Sequence, residues 1–475
     1  GVDLVLGIRP KPARISEKFF MYYSRYRFNW NDPLCGMKGY SMRLYRKLGY
    51  FDSKKSIVAW SFYDWANSAF ATTVMAGFFP IFFKEYWSNT DSVTLSTWYL
   101  GLANSIASII VAAMAPFLGA VADRGTAKKK FLILFAFLGI IGTGSLWIVG
   151  QGQWQMAVML YIIASVGFLG GNIFYDSLLP GITSKKKIDY ASSLGFALGY
   201  IGGGILFLIN VLMYKNPDMF GIPDGATAIR ISFIMVAVWW AVFSIPIMVF
   251  VKEPRIHHPI GLMKAVGAGW GQLGKTIREI RHLKVVGTFL LAYWLYIDGV
   301  DTLIRMAVDY GTSLGFPASS LITALLLVQF VGFPATLAYN WFAFKVGIKK
   351  AIYVAICGYI GITIFGVFVQ ELWHFYAIAV LIACFQGGIQ ALSRSMYSRI
   401  IPKEKAAEFY GFYNMLGKFA AIIGPPLMGY VGLVTGNPRM GILAISVLFI
   451  AGAFILTKVD LDEGERMAKE YLSLK

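Results

Sequence analysis

Four short stretches set ionisable and amide side chains at helical spacing inside otherwise apolar sequence. In "WSFYDWANSAF" (60–70), Asp64 and Asn67 lie three apart and Ser68 follows, so a helix puts all three on one face. "WLYIDGVDTLIR" (294–305) repeats the arrangement with Asp298, Asp301 and Arg305 at i, i+3 and i+7. "FQGGIQALSR" (385–394) carries Gln386, Gln390 and Arg394 every four residues, and Asn172 and Asp176 are four apart in "NIFYD". Two close carboxylates cannot cheaply ionise together, which suits a site that loads and empties a proton. Arg394 is a permanent cation that either holds a substrate carboxylate or phosphate in its planar fork or neutralises Asp64 or Asp298. The same residues also read as structure: a polar clamp at Asp64, an Asp301–Arg305 ion pair, a snorkelling Arg394.

The elements that must position them are membrane helices. Hydrophobic residues make up 57% of the 475, charged residues only 14%, and the mean hydropathy is +0.61, values that exclude an ordinary soluble domain. Apolar runs long enough to cross a roughly 30 Å hydrocarbon core recur about twelve times. They are expected at 57–83, 97–121, 131–149, 155–178, 190–213, 229–251, 285–310, 319–343, 351–370, 375–400, 407–434 and 439–457. A carboxylate at mid-membrane depth costs several kcal/mol on insertion scales, so Asp64 reads first as functional.

Lys and Arg crowd alternate loops, as in "DRGTAKKK", "SKKK", "KVGIKK" and "PKEK", whereas "GQGQ" and "TGNPRM" are poor in them. That alternation predicts cytoplasmic termini and a cytoplasmic loop at 253–284. The net charge of +18 is spread over these membrane-proximal patches, which implies contact with anionic lipid and no nucleic-acid partner. Cys35, Cys357 and Cys384 are far apart, and the four histidines form no ligand pattern, so no metal and no cofactor is expected. No P-loop, nucleophile elbow or HExxH is present, so an enzyme is not expected and energy must come from solute or ion gradients.

The halves repeat. "YDSLLP" (175–180) returns as "YSRIIP" (397–402), and "LGFALGYIGG" (194–203) returns in register as "LGKFAAIIGP" (416–425). "WSFYDWANSAF" aligns with "WLYIDGVDTLI", pairing Asp64 with Asp298 and Asn67 with Asp301; Asn172 pairs with Arg394. The expected fold is all-α: twelve transmembrane helices in two pseudo-symmetric six-helix bundles, 55–252 and 285–460, with linker 253–284 and tail 461–475.

"GAVADRGTAKKK" (119–130) resembles the signature loop of the major facilitator superfamily. With "FYDWANSAF", "FYDSLLP", "GYIGGG", "LYIDGVDT", "QALSRSMYSRIIP" and "GFYNMLGKFAAIIGP", the chain from 55 to about 460 resembles the vacuolar-effluxer-like branch, known for amino-acid efflux from fungal vacuoles. The resemblance implies a central cavity that alternates between the two sides, lined by spans one, four, seven and ten. It also implies a latch between the halves at Gly119, Asp123, Arg124 and Lys128. The second-half counterpart, "YNWFAFKVGIKK", departs from the signature by placing Phe344 where Asp123 stands.

The expected function is a secondary active transporter of a small, amino-acid-like solute, coupled to a proton or other ion, in a bacterial inner membrane. Its candidate solute and ion site is Asp64, Asn67, Asn172, Asp176, Asp298, Asp301, Arg305, Gln390 and Arg394. Residues 1–54 are basic and lack a spanning run. "NDPLCGMKGYSMRLYRKLGYFDS" resembles the C-terminal part of a polyprenyl-phosphate sugar transferase, which leaves open a gene fusion, a fragment or a misassigned start. It also keeps two other functions open: transport of a lipid or lipid-linked sugar, with a link to a sugar-lipid pathway, and a piece of a bifunctional membrane glycosyltransferase.

Overall fold

The computed structural model describes residues 51–87, separate positions between 103 and 122, and residues 127–253, 283–419 and 423–470. All of these are helical or connect helices. In a hydrocarbon solvent each backbone N–H and C=O must be satisfied within its own segment, which the helix does for an apolar run of this length. The first half contributes α1 (Lys54–Ala69), α2 (Lys128–Ser145), α3 (Trp154–Ile182), α4 (Ile188–Lys215) and α5 (Gly225–Phe250). The second contributes α6 (Lys284–Ser313), α7 (Ala318–Val346), α8 (Ile348–Val367), α9 (Leu372–Ile400), α10 (Ala406–Phe419), α11 (Gly424–Thr435), α12 (Pro438–Ala444), α13 (Ser446–Thr457) and the tail helix α14 (Leu461–Glu470).

Among the described residues, eight helical segments are long and apolar enough to span a bilayer. Span 97–121 and loop 253–284 lie wholly or partly outside the described residues, as do the first fifty residues. The run predicted at 407–434 is described as two helices, α10 and α11. Pro425 and Pro426 have no N–H to donate and so fit the first turn of α11, where those groups would have no partner within the helix. α1 also changes character: Phe70–Phe78 continues it in π-helical geometry, beginning two residues beyond Ser68.

Buried apolar side chains form separate cores. One draws on residues from Leu283 to Val459; two others are built almost wholly from residues between Ile57 and Val251. Each half therefore has its own interior. They meet where α4 packs on α7 and α9, and where α3 packs on α9 and α10. Within the first half, the N-terminus of α2 is capped by a distant acid: Glu253 accepts from the Lys128 N–H (3.1 Å) and the Lys129 N–H (3.2 Å). The Lys129 ammonium in turn donates to the Val251 carbonyl at 2.8 Å, fixing α2 to the end of α5. An acid at the positive end of a helix dipole is favourable.

Candidate functional site

Arg394, near the end of α9, inserts its guanidinium between three helices of the other half and is 3% exposed. Its Nη1 lies 3.0 Å from Asp176 Oδ1 on α3 and 3.6 Å from Asp64 Oδ2 on α1. Nε donates to the Ser192 hydroxyl (2.9 Å) and Nη2 to the Ser192 carbonyl (2.8 Å), both on α4. The rings of Phe196, Trp60 and Tyr175 surround the cation, with centroids at 4.2, 4.9 and 5.4 Å. Burying a guanidinium is tolerable only with its donors occupied and charges opposed, and this position meets both conditions.

The acids are themselves held. Asp64 Oδ2 accepts the Tyr175 hydroxyl at 2.8 Å, and Tyr175 is fixed by stacking on Trp60 (4.2 Å), whose indole N–H donates to the Tyr175 carbonyl at 2.9 Å. Asp176 Oδ2 accepts from the Asn414 amide on α10 at 3.3 Å. The Ser192 hydroxyl donates to the Ala391 carbonyl at 2.8 Å, and the Tyr410 hydroxyl to the Arg394 carbonyl at 3.1 Å. One cation thus ties five helices from both halves.

Gly195 permits this closeness. A Cβ there would stand 2.7 Å from Asp64 Oδ2, 2.7 Å from the Tyr175 hydroxyl and 3.1 Å from Arg394 Nη2. We expect Gly195→Ala to part Tyr175 from Asp64 and lower transport by up to about a hundredfold, the loss that a roughly 1 Å displacement at a positioned group can bring. Flux in proteoliposomes at matched protein content measures it. Wild-type flux would mean that the side chains relax without consequence.

The structure separates the two repeat-related acids. Asp298 on α6 is fully buried and accepts the Gly424 N–H at the start of α11 with both oxygens, at 3.1 and 3.2 Å, and the Thr302 hydroxyl at 3.3 Å. It caps α11 within its own half, whereas Asp64 faces the other half. We expect Asp298→Ala to destabilise the protein by about 1–3 kcal/mol, because it leaves a buried N–H unsatisfied. Asp298→Asn, which keeps one acceptor oxygen, should recover part of the loss. Thermal unfolding of the purified protein reads both; equal stability in all three proteins would remove the capping role.

Asn67 donates to Asn172 Oδ1 at 2.6 Å, joining α1 and α3 away from Arg394. Asp301 and Gln390 are partly exposed and enter none of the contacts that hold Arg394. The Arg305 side chain, Asp123 and Arg124 lie outside the described residues. Of the predicted latch, Lys128 begins α2 under the Glu253 cap, and Gly119 meets the other half. A Cβ on Gly119 would stand 2.3 Å from the Ala407 carbonyl oxygen at the start of α10, an approach only glycine allows.

Tyr175, Ser192 and Asn414 were not among the expected site residues. A signal existed: Ser192 and Asn414 occupy equivalent positions of the repeat, as do Asn172 and Arg394. Asp176, Ser192, Arg394 and Asn414, from spans four, five, ten and eleven, meet at one place, whereas Asn172 does not join them.

A profile of the family described as "Vacuole effluxer Atg22 like" matches residues 52–191 and 183–469. An uncharacterised MFS-type transporter of Bacillus subtilis (strain 168), YxiO, is 37% identical over 410 residues, covering 84% of this chain and 94% of that protein. Among solved structures, the human organic anion transporter MFSD10 aligns with a TM-score of 0.67 at 12% identity, covering 85% of this chain and 99% of that one. The major facilitator transporter FucP, crystallised in its outward conformation, aligns at 0.65 and 13% identity, covering 86% and 98%. At such identities the structures speak for the fold, and the family profile for the lineage. The chain belongs to the vacuole effluxer Atg22-like family and is a membrane-embedded secondary transporter of the major facilitator type.

Proposed function

We propose that this protein exports a small amino-acid-like solute by alternating access, driven by a proton that binds at Asp64. The observation that carries the reading is the bridge from Arg394 to Asp176 and Asp64, which spans the two halves near the end of the bundle bearing the basic loops. That end cannot open while Arg394 is held in α3 and α4. Pulling the guanidinium out unpaired would cost several kcal/mol, so opening needs a compensating change of charge.

Asp64 is the acid suited to supply it. Asp176 holds Arg394 closely at 3.0 Å, whereas Asp64 stands at 3.6 Å and takes a hydrogen bond from Tyr175. A proton on Asp64 therefore weakens the bridge without stripping Arg394 of its nearer partner. A solute carboxylate that reaches Arg394 would compete with the same acids, in the fork geometry that suits a carboxylate. The full complement of twelve crossings in two six-helix bundles, with the basic loops and both termini on the cytoplasmic side of a bacterial inner membrane, completes the proposal.

The test is efflux of a panel of radiolabelled amino acids from proteoliposomes under an imposed pH gradient. Gradient-dependent efflux of at least one of them is the expected result. Flux of a panel member that ignores the gradient would refute proton coupling, and no flux of any member would refute the solute class.

A further inference from the structure

Both ends of the described chain converge on one turn at the gate, the residues 183–187 that join α3 to α4. From the front, the Asp52 N–H donates to the Ile182 carbonyl at 3.0 Å, and its carboxylate accepts the Ser184 N–H (2.7 Å) and the Thr183 hydroxyl (3.1 Å). The Lys187 ammonium closes the loop on the Asp52 carbonyl at 3.2 Å. Partial burial works against the Asp52 carboxylate, but these hydrogen bonds and the Lys187 charge outweigh it and hold its carboxyl below the usual carboxylate range. A group depressed in this way contributes stability above its unfolded value and loses it as pH falls through the folded one, so the tie persists throughout the neutral range.

From the back comes α14. Asp460 caps it, its carboxylate accepting the Asp462 N–H (2.9 Å) and the Glu463 N–H (3.1 Å). Gly464 and Ala468 are buried one turn apart, and a Cβ on Gly464 would stand 2.7 Å from Ile400 and 2.9 Å from Val285, so the helix lies against the ends of α9 and α6. The flank of this buried face reaches the other half: Glu465 Oε2 pairs with Lys185 Nζ at 2.7 Å. Glu465 Oε1 also faces Arg399 Nη1 at 3.8 Å, Arg399 pairs with Asp189 on α4, and Asp189 accepts the Ser395 hydroxyl.

We infer that α14 is a latch on the gate: Lys185, Glu465, Arg399 and Asp189 form an alternating chain of charges that holds the basic end of the bundle closed. Glu465 supplies the link carried by neither six-helix bundle. The Arg394 bridge is the deeper tier of this gate and the α14 chain is the outer one. Each outer pair is partly exposed, with Lys185 at 31% and Glu465 at 22%, so the latch is weak enough to be released in each cycle. The tail is thereby placed to set the balance between closed and open forms without touching the solute site. The inference rests on the alternating-access part of the proposed function and not on its solute or its proton.

The test reads gate opening directly. Ala391 is buried where α9 meets α4, and its carbonyl accepts the Ser192 hydroxyl, so Ala391→Cys reports separation of these helices. The variant is made in the full chain with Cys35, Cys357 and Cys384 replaced by serine, and labelled in proteoliposomes with a membrane-impermeant maleimide at the basic end. Glu465→Gln and Lys185→Gln should each speed labelling roughly two- to fivefold, the scale of one partly exposed ion pair. The double variant should be no faster than Glu465→Gln alone, because the Lys185–Glu465 pair that Lys185→Gln removes is already lost there. Unchanged labelling in either single variant, or effects that simply add, would overturn the latch. Labelling needs neither solute nor pH gradient, so failure here is distinct from failure of the transport reading.

Discussion

Arg394→Ala should abolish transport while leaving a folded protein. The substitution removes two hydrogen bonds to Ser192, the 3.0 Å bond to Asp176 and the 3.6 Å contact with Asp64, and leaves two carboxylates facing one another without their cation. Breaking a buried charge pair by deleting one partner costs about 3–5 kcal/mol. Applied to the closed form alone, that corresponds to roughly a hundredfold or greater shift toward separation of the halves, and alternating access stalls. Arg394→Lys should fail almost as badly. A single ammonium cannot reproduce the fork that reaches Ser192 and Asp176 together, nor place a delocalised cation over the Phe196 ring, where the guanidinium carbon stands 4.2 Å from the centroid. Solute flux in proteoliposomes, alongside thermal unfolding to show that the protein is intact, measures both variants. Flux within a few-fold of wild type in Arg394→Ala would remove this bridge from the mechanism.

Asp64→Asn should uncouple rather than inactivate. Asparagine keeps the shape and an acceptor for the Tyr175 hydroxyl, and Asp176 still holds Arg394, so the site stays assembled. What it loses is the capacity to carry a proton. A gradient of one pH unit is worth about 1.4 kcal/mol, or tenfold in the attainable solute ratio, for each proton carried. Wild-type protein should gain that factor and Asp64→Asn should gain none, while exchange of labelled for unlabelled solute across equal pH continues. Measuring counterflow and gradient-driven flux in the same vesicles separates the two. Gradient-driven flux undiminished in Asp64→Asn would take the proton away from this acid. Asp176→Asn should behave differently, resembling the Arg394 variants, because Asp176 holds the guanidinium closely.

Asp298 shows where sequence symmetry misleads. By the repeat it is the twin of Asp64, and Asp301 three residues on sets a second carboxylate on the same helix face. In the folded chain Asp298 is spent on the Gly424 N–H, one of the N–H groups that the first turn of α11 leaves without a partner in its own helix. Two acids at equivalent positions of the sequence repeat therefore have unlike partners.

The sequence alone determined the solvent, the helices, their period and the repeat. These follow from local rules: an apolar run of about 20 residues must satisfy its own backbone, and a polar residue every third or fourth position must share a face. It also singled out Asp64, Asp176 and Arg394, because a charge inside such a run is conspicuous. The tertiary structure decided which charges meet. Arg394 and Asp176 are 218 residues apart in the chain, and only the docking of α9 against α3 and α4 brings them to 3.0 Å. Ser192, Tyr175 and Asn414 are uncharged and stood out less: the repeat pairs Ser192 with Asn414, but a hydroxyl or amide in a helix can equally bond its own preceding turn. The same holds for Glu465 and Lys185 at the gate: each is an ordinary surface charge until the tail helix folds back across the two halves.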